Sequence, residues 1–250
     1  MKDLEKIKKT VIIIPARLNS SRLKNKLLLE AGGKPVIQWV YEAAKKAKLA
    51  SEVIIACDSD EIYNTVKKFG GNVEMTSAEH KSGSDRIAEV AKRHPEFEYI
   101  LNLQGDEPQM ESGVIDSLIG ALHNSTADIS TLVREITDKE QIDSPNCVKC
   151  VFNKDNMALY FSRYPVPYPR NEEFAHYYAH IGMYAYKRES LLKMTSLEMA
   201  MIEKTESLEQ LRALYNGMTI KVILTNLNPV GIDTIQDFGK FKNIIEEQQN

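Results

Sequence analysis

Val11, Ile12, Ile13 and Ile14, four consecutive β-branched residues that run into Pro15, constrain the fold more than any other stretch of the sequence. An apolar run without alternation reads as a strand buried on both faces. Such a strand belongs in the middle of a sheet covered by helices on both sides. The first ten residues read as a frayed lead-in to it.

Downstream, the chain alternates. The polar, basic segment ARLNSSRLKNKLLLEAGGKP closes on a Gly32-Gly33 turn, with Pro35 placed to begin a helix. That helix carries Val36, Ile37, Val40, Ala43, Ala44 and Ala47 at helical spacing. The spacing then predicts a strand at 53–57, a helix at 61–69 stopped by Gly70, a strand at 73–75, a helix at 85–92 and a strand at 99–103. Strands and helices in alternation imply a parallel sheet, with ligands collected beyond the carboxyl ends of its strands.

The second half changes character. Strand-like stretches at 129–134, 148–152, 158–161 and 181–186 follow with little helix between them, which points to antiparallel pairing. The segment 164–169 holds Pro165, Pro167 and Pro169 and should be extended and exposed, as at a rim or subunit contact. A helix at 207–215 stopped by Gly217, a strand at 220–224 and a helix from 235 to about 247 complete the chain. We expect one domain over residues 1–250, of α/β class, with about 145–190 forming a β-rich segment.

Charge and cysteine content exclude several functions. A net charge of −3 with both signs interspersed gives no footprint for nucleic acid or an anionic membrane. The apolar run near the amino terminus is too short for a signal core or a membrane span. Three cysteines suit a reducing compartment, so a cytoplasmic location is expected. Cys147 and Cys150 form a C-x-x-C inside the strand-like CVKCVF, which favours a structural role over a metal or redox one.

The basic residues must therefore be explained locally. Arg17, Arg22, Lys24 and Lys26 follow a central strand directly, where cations and loop N–H groups meet phosphate. Neither a Walker A loop nor a G-x-G-x-x-G occurs there. Asp106, just after the strand at 99–103, is placed to hold Mg²⁺ against nucleotide phosphates, with Gly105 allowing an unusual backbone angle and Glu107 pointing elsewhere. Asp233 is a second candidate ligand, though it would serve equally well as a helix N-cap. In Ser82-Gly83-Ser84-Asp85-Arg86, hydroxyls and N–H groups at a helix start either bind a ligand or simply cap the helix through Ser84 or Asp85. His180 and Tyr184 share one face of a strand, where they would grip a substrate or fill a core.

Together the motifs IIIPARLNSSRL, GGKPVIQWVYEAA, SGSDRIAE, NLQGDEP, ALYFSR, HIGMYAY, LEQLRAL and GIDT, in this order over nearly the whole chain, resemble the CMP-Kdo synthetases, or 3-deoxy-manno-octulosonate cytidylyltransferases. The resemblance implies a Rossmann-like nucleotidyltransferase with a mostly parallel central sheet and a smaller β-rich dimerisation segment. It also implies a homodimer that moves CMP from CTP to the anomeric 2-hydroxyl of Kdo for lipopolysaccharide or surface-polysaccharide synthesis. Arg17 and Lys26 would hold the CTP phosphates with Arg22 assisting, Ser82, Gly83 and Gln104 would lie near the cytidine, and Asp106 and Asp233 would bind Mg²⁺. Arg163, Arg170, His180, Tyr184, Glu209 and Gln210 would meet the sugar acid, with arginine and histidine suited to its carboxylate.

The chain departs from the family pattern twice. Arg22-Leu23-Lys24-Asn25-Lys26 stands where the family usually has R-L-P-G-K, and Ala179 stands where an arginine often precedes the histidine. Those changes keep 8-amino-Kdo or another 2-keto sugar acid open as acceptor. A nucleotidyltransferase acting on a sugar or alditol phosphate is the other enzymatic alternative, and a nucleotide-binding regulatory protein is the non-enzymatic one.

Overall fold

The computed structural model describes residues 9–19, 23–228 and 231–249. Residues 1–8 of the expected lead-in, and Arg22, lie outside them. Thr10 already belongs to the first strand. The chain forms two compact units, Met1–Asp116 with Pro229–Asn250, and Ser117–Asn228.

The first unit is built on β1 (Thr10–Ala16), β4 (Glu52–Cys57), β5 (Val73–Met75) and β6 (Tyr99–Asn102). β1 pairs in parallel with β6 on one side and β4 on the other, and β5 extends the sheet from β4. Val11 through Ile14 are fully buried, as a run apolar on both faces requires. The short hairpin β2 (Glu30–Ala31) and β3 (Lys34–Pro35) turns at Gly32 and Gly33, whose φ values of 57° and 76° favour glycine. Pro35 precedes helix α1 (Val36–Ala44) instead of opening it, because its extended ψ of 152° belongs to the hairpin.

Local chemistry sets the next helix ends. The Ser59 hydroxyl accepts from Ile62 N–H to start α2 (Asp60–Lys68), and Gly70 follows its end at φ 76°. α3 (Gly83–Arg93) begins with a capping box between Ser82 and Asp85, so the cap lies at Ser82 and not at Ser84 or Asp85. α4 (Ser112–His123), not expected from the sequence, buries Ile115, Leu118, Ile119 and Leu122, a helical stripe interrupted by small and polar residues.

The second unit contains β7 (Ile129–Ile136), α5 (Lys139–Asp143), β8 (Lys149–Phe152), β9 (Ala158–Ser162) and β10 (Tyr177–Lys187). α6 (Arg188–Ser196), α7 (Met201–Glu206), α8 (Gln210–Tyr215) and β11 (Ile220–Leu224) follow. Antiparallel pairing is present as expected, between β10 and β7, β10 and β8, and β8 and β9, whereas β11 joins β7 in parallel. The expected helix at 207–215 is shorter, because Ser207 at φ 51° ends α7 in the left-handed conformation and α8 starts anew at Gln210. Returning to the first unit, α9 (Ile235–Gln249) buries Phe241, whose ring meets Trp39 edge-on at 6.2 Å.

The C-x-x-C is built around a buried lysine. Cys147 and Cys150 are free thiols, and burial pushes the Cys150 pKa up to about 12. Between them the fully buried Lys149 donates to the carbonyls of Ser144, Cys147 and Arg163 at 2.9, 2.6 and 2.6 Å, closing the turn around the pair.

A second buried charge joins α7 to α8. Arg212 donates through Nε and Nη2 to the two carboxylate oxygens of Glu203 at 2.9 and 2.6 Å. Their side chains are only 10% and 3% exposed, so neither charge can turn to water instead. Arg212→Met should therefore lower unfolding stability by about 3–5 kcal/mol, the usual cost of stranding one partner of a buried pair. Urea denaturation reads this as a lower midpoint; an unchanged midpoint would show the pair to be dispensable.

Candidate active site

A parallel sheet places the carboxyl ends of its strands along one edge, and loops from β1 and β6 meet there in the first unit. They enclose a cleft of about 320 Å³ with the start of α3. Arg17, Lys26, Ser82, Gly83, Gln104 and Asp106 all line it. Every residue expected to hold the nucleotide is thus gathered in one place, except Arg22, which lies outside the described residues. Asn19 and Lys81 line the cleft as well and were not singled out from the sequence. Lys81 was hidden by its neighbours, since a lysine just before a capping motif looks like a solvated charge.

Three segments distant in sequence meet at Lys26. Its ammonium donates to Asp106 Oδ2 and, at 3.0 Å, to Asp233 Oδ1. A backbone bond of 2.9 Å from Ile232 N–H to the Asp106 carbonyl holds the two acidic loops together. Burial works against the Lys26 charge, but the two carboxylates outweigh it and raise the pKa above its ordinary value. The ammonium is therefore fully charged at neutral pH.

The helix cap reading of Asp233 gives way to this arrangement. Thr234 accepts from Asp237 N–H at 3.2 Å, and the Asp237 carboxylate accepts from Thr234 N–H at 2.9 Å, so Thr234 and Asp237 cap α9 between them. The Asp233 carboxylate is left to face Lys26. Asn25, before Lys26, sits at φ 54° and ψ 29°, the left-handed conformation that glycine adopts freely and asparagine tolerates well. The loop thus reaches that backbone shape with Asn25 where the family pattern has glycine.

Gly105 serves a different purpose from the one expected. Its φ is not positive; instead, a Cβ there would sit 3.0 Å from the Pro15 carbonyl and 3.4 Å from Leu27. Close backbone approach, not an unusual angle, calls for glycine. Glu107 Oε2 is buried with no hydrogen-bond partner among the described residues. Burial, aided by the adjacent Asp106 charge, pushes its pKa up to about 8.

The β1 loop is held from beneath by a buried arginine. Arg86, fully buried, donates to Thr76 Oγ1 at 2.5 Å and to Asp58 Oδ2 at 3.0 Å, while Asp58 Oδ1 accepts from Leu18 N–H at 3.0 Å. Leu18 N–H is consequently committed to Asp58 and is not one of the loop donors expected to meet phosphate. Arg17 differs, because its Nη2 is buried without a partner among the described residues. An unsatisfied guanidinium nitrogen in a polar cleft has the chemistry of an anion site.

The residues expected to meet a sugar acid lie in the second unit and fall into two sets. His180 and Tyr184 stand on one face of β10 with ring centroids 5.4 Å apart, and the Glu209 charge acts on Tyr184. Gln210, buried, opens α8 beside Glu209. Arg163 also ties down the backbone: three of its five guanidinium N–H groups donate to the carbonyls of Glu206, Pro145 and Ser207 at 2.6, 2.9 and 3.3 Å. Arg170 is exposed on the segment before β10. Ala179 is buried in a cluster with Ile136 and Tyr177, and strand alternation turns it to the face opposite His180.

Burial drives the His180 pKa from its ordinary 6.5 down to about 3. The ring is neutral at physiological pH, so it is not the cationic carboxylate partner expected from the sequence. Below pH 6.5 the unfolded chain would take up a proton that folded His180 refuses, so this group contributes stability that declines as pH falls toward 3. The Cε1–H resonance of His180 should accordingly stay flat from pH 8 to pH 5 in the native protein. A titration midpoint near 6.5 would contradict the neutral assignment.

A family model described as cytidylyltransferase matches residues 11–220. The 3-deoxy-manno-octulosonate cytidylyltransferase of Rhodopirellula baltica is 46% identical, over 96% of this chain and 100% of that protein. Its namesake from Fusobacterium nucleatum is 44% identical, over 94% and 96%. A solved structure of CMP:2-keto-3-deoxy-manno-octonic acid synthetase complexed with CTP has a TM-score of 0.92 at 39% identity, covering 96% of this chain and 100% of that one. The family model and these similarities over nearly the whole chain show that it belongs to the cytidylyltransferase family.

Proposed function

We propose that this protein transfers CMP from CTP to the anomeric 2-hydroxyl of Kdo or a closely related 2-keto-3-deoxy sugar acid, releasing pyrophosphate, in the cytoplasm. The observation that carries the proposal is the convergence of Asp106 and Asp233 on one cation in a cleft that also holds Arg17. Relatives named for this reaction over nearly their whole length supply the base and the acceptor.

Arg17 and Lys26 would neutralise the triphosphate, with Arg22 assisting, while Ser82, Gly83 and Gln104 would contact the cytidine. The Ser82 oxygen already accepts from Asp85 N–H, which leaves its hydroxyl proton free to donate to a ligand. His180, Tyr184, Glu209, Gln210 and Arg170 would recognise the sugar acid. Arg163, with two guanidinium N–H groups beyond those given to backbone carbonyls, would join them. Attack by the sugar hydroxyl in line on the α-phosphorus needs no covalent enzyme intermediate.

Asp106 and Asp233 fit Mg²⁺, a cation that takes one or two carboxylates together with substrate phosphates and water. Bound there, Mg²⁺ would supply charge neutralisation at the phosphates and polarise an attacking oxygen. A homodimer formed through the β-rich segment is supported by Tyr164, Tyr168 and Phe174, exposed at 75%, 83% and 71%.

Pyrophosphate release from CTP should appear with Kdo, its 8-amino analogue or another 2-keto sugar acid, and should stop on chelation and return with Mg²⁺. Asp106→Asn should cost about a hundredfold or more in turnover, as expected for losing metal-assisted charge stabilisation, with an unchanged circular dichroism spectrum. Near-normal activity of that variant at saturating Mg²⁺ would remove Asp106 from the metal site. Turnover only with phosphorylated acceptors would favour a sugar or alditol phosphate enzyme instead.

A further inference from the structure

The pairing of β10 with β7 contains an irregularity at the His180 face. Ile181 stands opposite Leu132 and Tyr184 opposite Thr131, so Gly182 and Met183 bulge out of the ladder. Bulges of this kind re-aim side chains and disturb the backbone hydrogen bonds around them. Here the buried Thr131 hydroxyl lies 2.9 Å from the Met183 carbonyl, 3.2 Å from the Ile181 carbonyl and 2.9 Å from His180 Nε2.

A hydroxyl has one proton and two lone pairs. If Thr131 gave that proton to His180, two carbonyl oxygens would face its oxygen at hydrogen-bond distance with no proton between them. The carbonyls can only accept, so the proton goes to the bulge. Thr131 must then accept from His180, and the imidazole must carry its proton on Nε2. A neutral ring has one N–H, which leaves Nδ1 as a bare acceptor. Among the described residues nothing pairs with Nδ1, and the ring is held by Phe161 and Tyr184 with centroids 4.9 and 5.4 Å away.

We propose that Thr131 is a positioning residue that locks His180 in its Nε2–H tautomer, so that Nδ1 accepts a hydrogen bond from a hydroxyl of the sugar acid and turns away its carboxylate. The ligand class at this point is a neutral polyol donor. A carboxylate brings no proton, and its oxygens would meet the Nδ1 lone pair without one. The inference rests on the sugar acid reading above for its ligand, but not for the tautomer, which the bulge sets in the free protein.

Nitrogen-15 chemical shifts of the His180 ring, correlated to its carbon-bound protons, test the tautomer without substrate. The expected result is a protonated-type shift at Nε2 and a bare-type shift at Nδ1 in the native protein. Thr131→Val should abolish that preference and raise the sugar acid KM about tenfold, the size of one neutral hydrogen bond, with the CTP KM unchanged. Thr131→Ser, which keeps the hydroxyl and should fold even if the valine variant does not, should restore both the shift pattern and the KM. A protonated Nδ1 in the native protein, or a serine variant with scrambled shifts and a raised KM, would overturn the proposal. Failure of the sugar acid reading would show separately, as absent turnover in the wild-type protein with the ring shifts intact.

Discussion

The ammonium of Lys26, held between the carboxylates of Asp106 and Asp233, joins the loop after β1, the loop after β6 and the approach to α9. Without a cation there, two carboxylates brought together by the Ile232–Asp106 backbone bond would repel each other. With one, the same closeness becomes a site with strong preference for positive charge. Arg17 lines the cleft alongside with a buried nitrogen unpaired among the described residues, so anion chemistry and cation chemistry lie side by side. That juxtaposition is what a triphosphate and its counter-ion require.

Much of this arrangement was legible in the sequence because it is local. The run 11–14 could only be a central strand, and a basic loop at its carboxyl end could only face a ligand edge. The meeting of Asp106 with Asp233 was not legible, since nothing in either segment states which of two roles Asp233 plays. Thr234 and Asp237 decide it by taking over the cap. Ser82 lies in the cleft as expected but is also the cap, a part that had been given to Ser84 or Asp85, and Gly105 answers to a close carbonyl, not to a left-handed angle.

The second unit shows where reading residue types fails. Arginine and histidine suggest charge pairing with a sugar acid, yet three of Arg163's five N–H groups go to backbone carbonyls and His180 is stripped of its charge by burial. Both outcomes are tertiary. They depend on α7 ending at Ser207, on the bulge at Gly182 and Met183, and on rings packed around the imidazole. A helix such as α6 escaped notice for a related reason, because its short buried stripe of Leu191 and Met194 sits in a polar background. Neutral, oriented hydrogen-bonding groups are the kind of surface that discriminates among polyols.

The central claim is that Asp106 and Asp233 together hold the cation that accompanies CTP. Crystals grown with CTP and Mn²⁺ in place of Mg²⁺ test it most directly, because anomalous scattering locates the manganese independently of any assumption about ligands. The account predicts an anomalous peak within coordination distance of both carboxylates, with the Lys26 ammonium moved from between them to the phosphates. A peak elsewhere, with Lys26 still bridging Asp106 and Asp233 in the CTP complex, would contradict it.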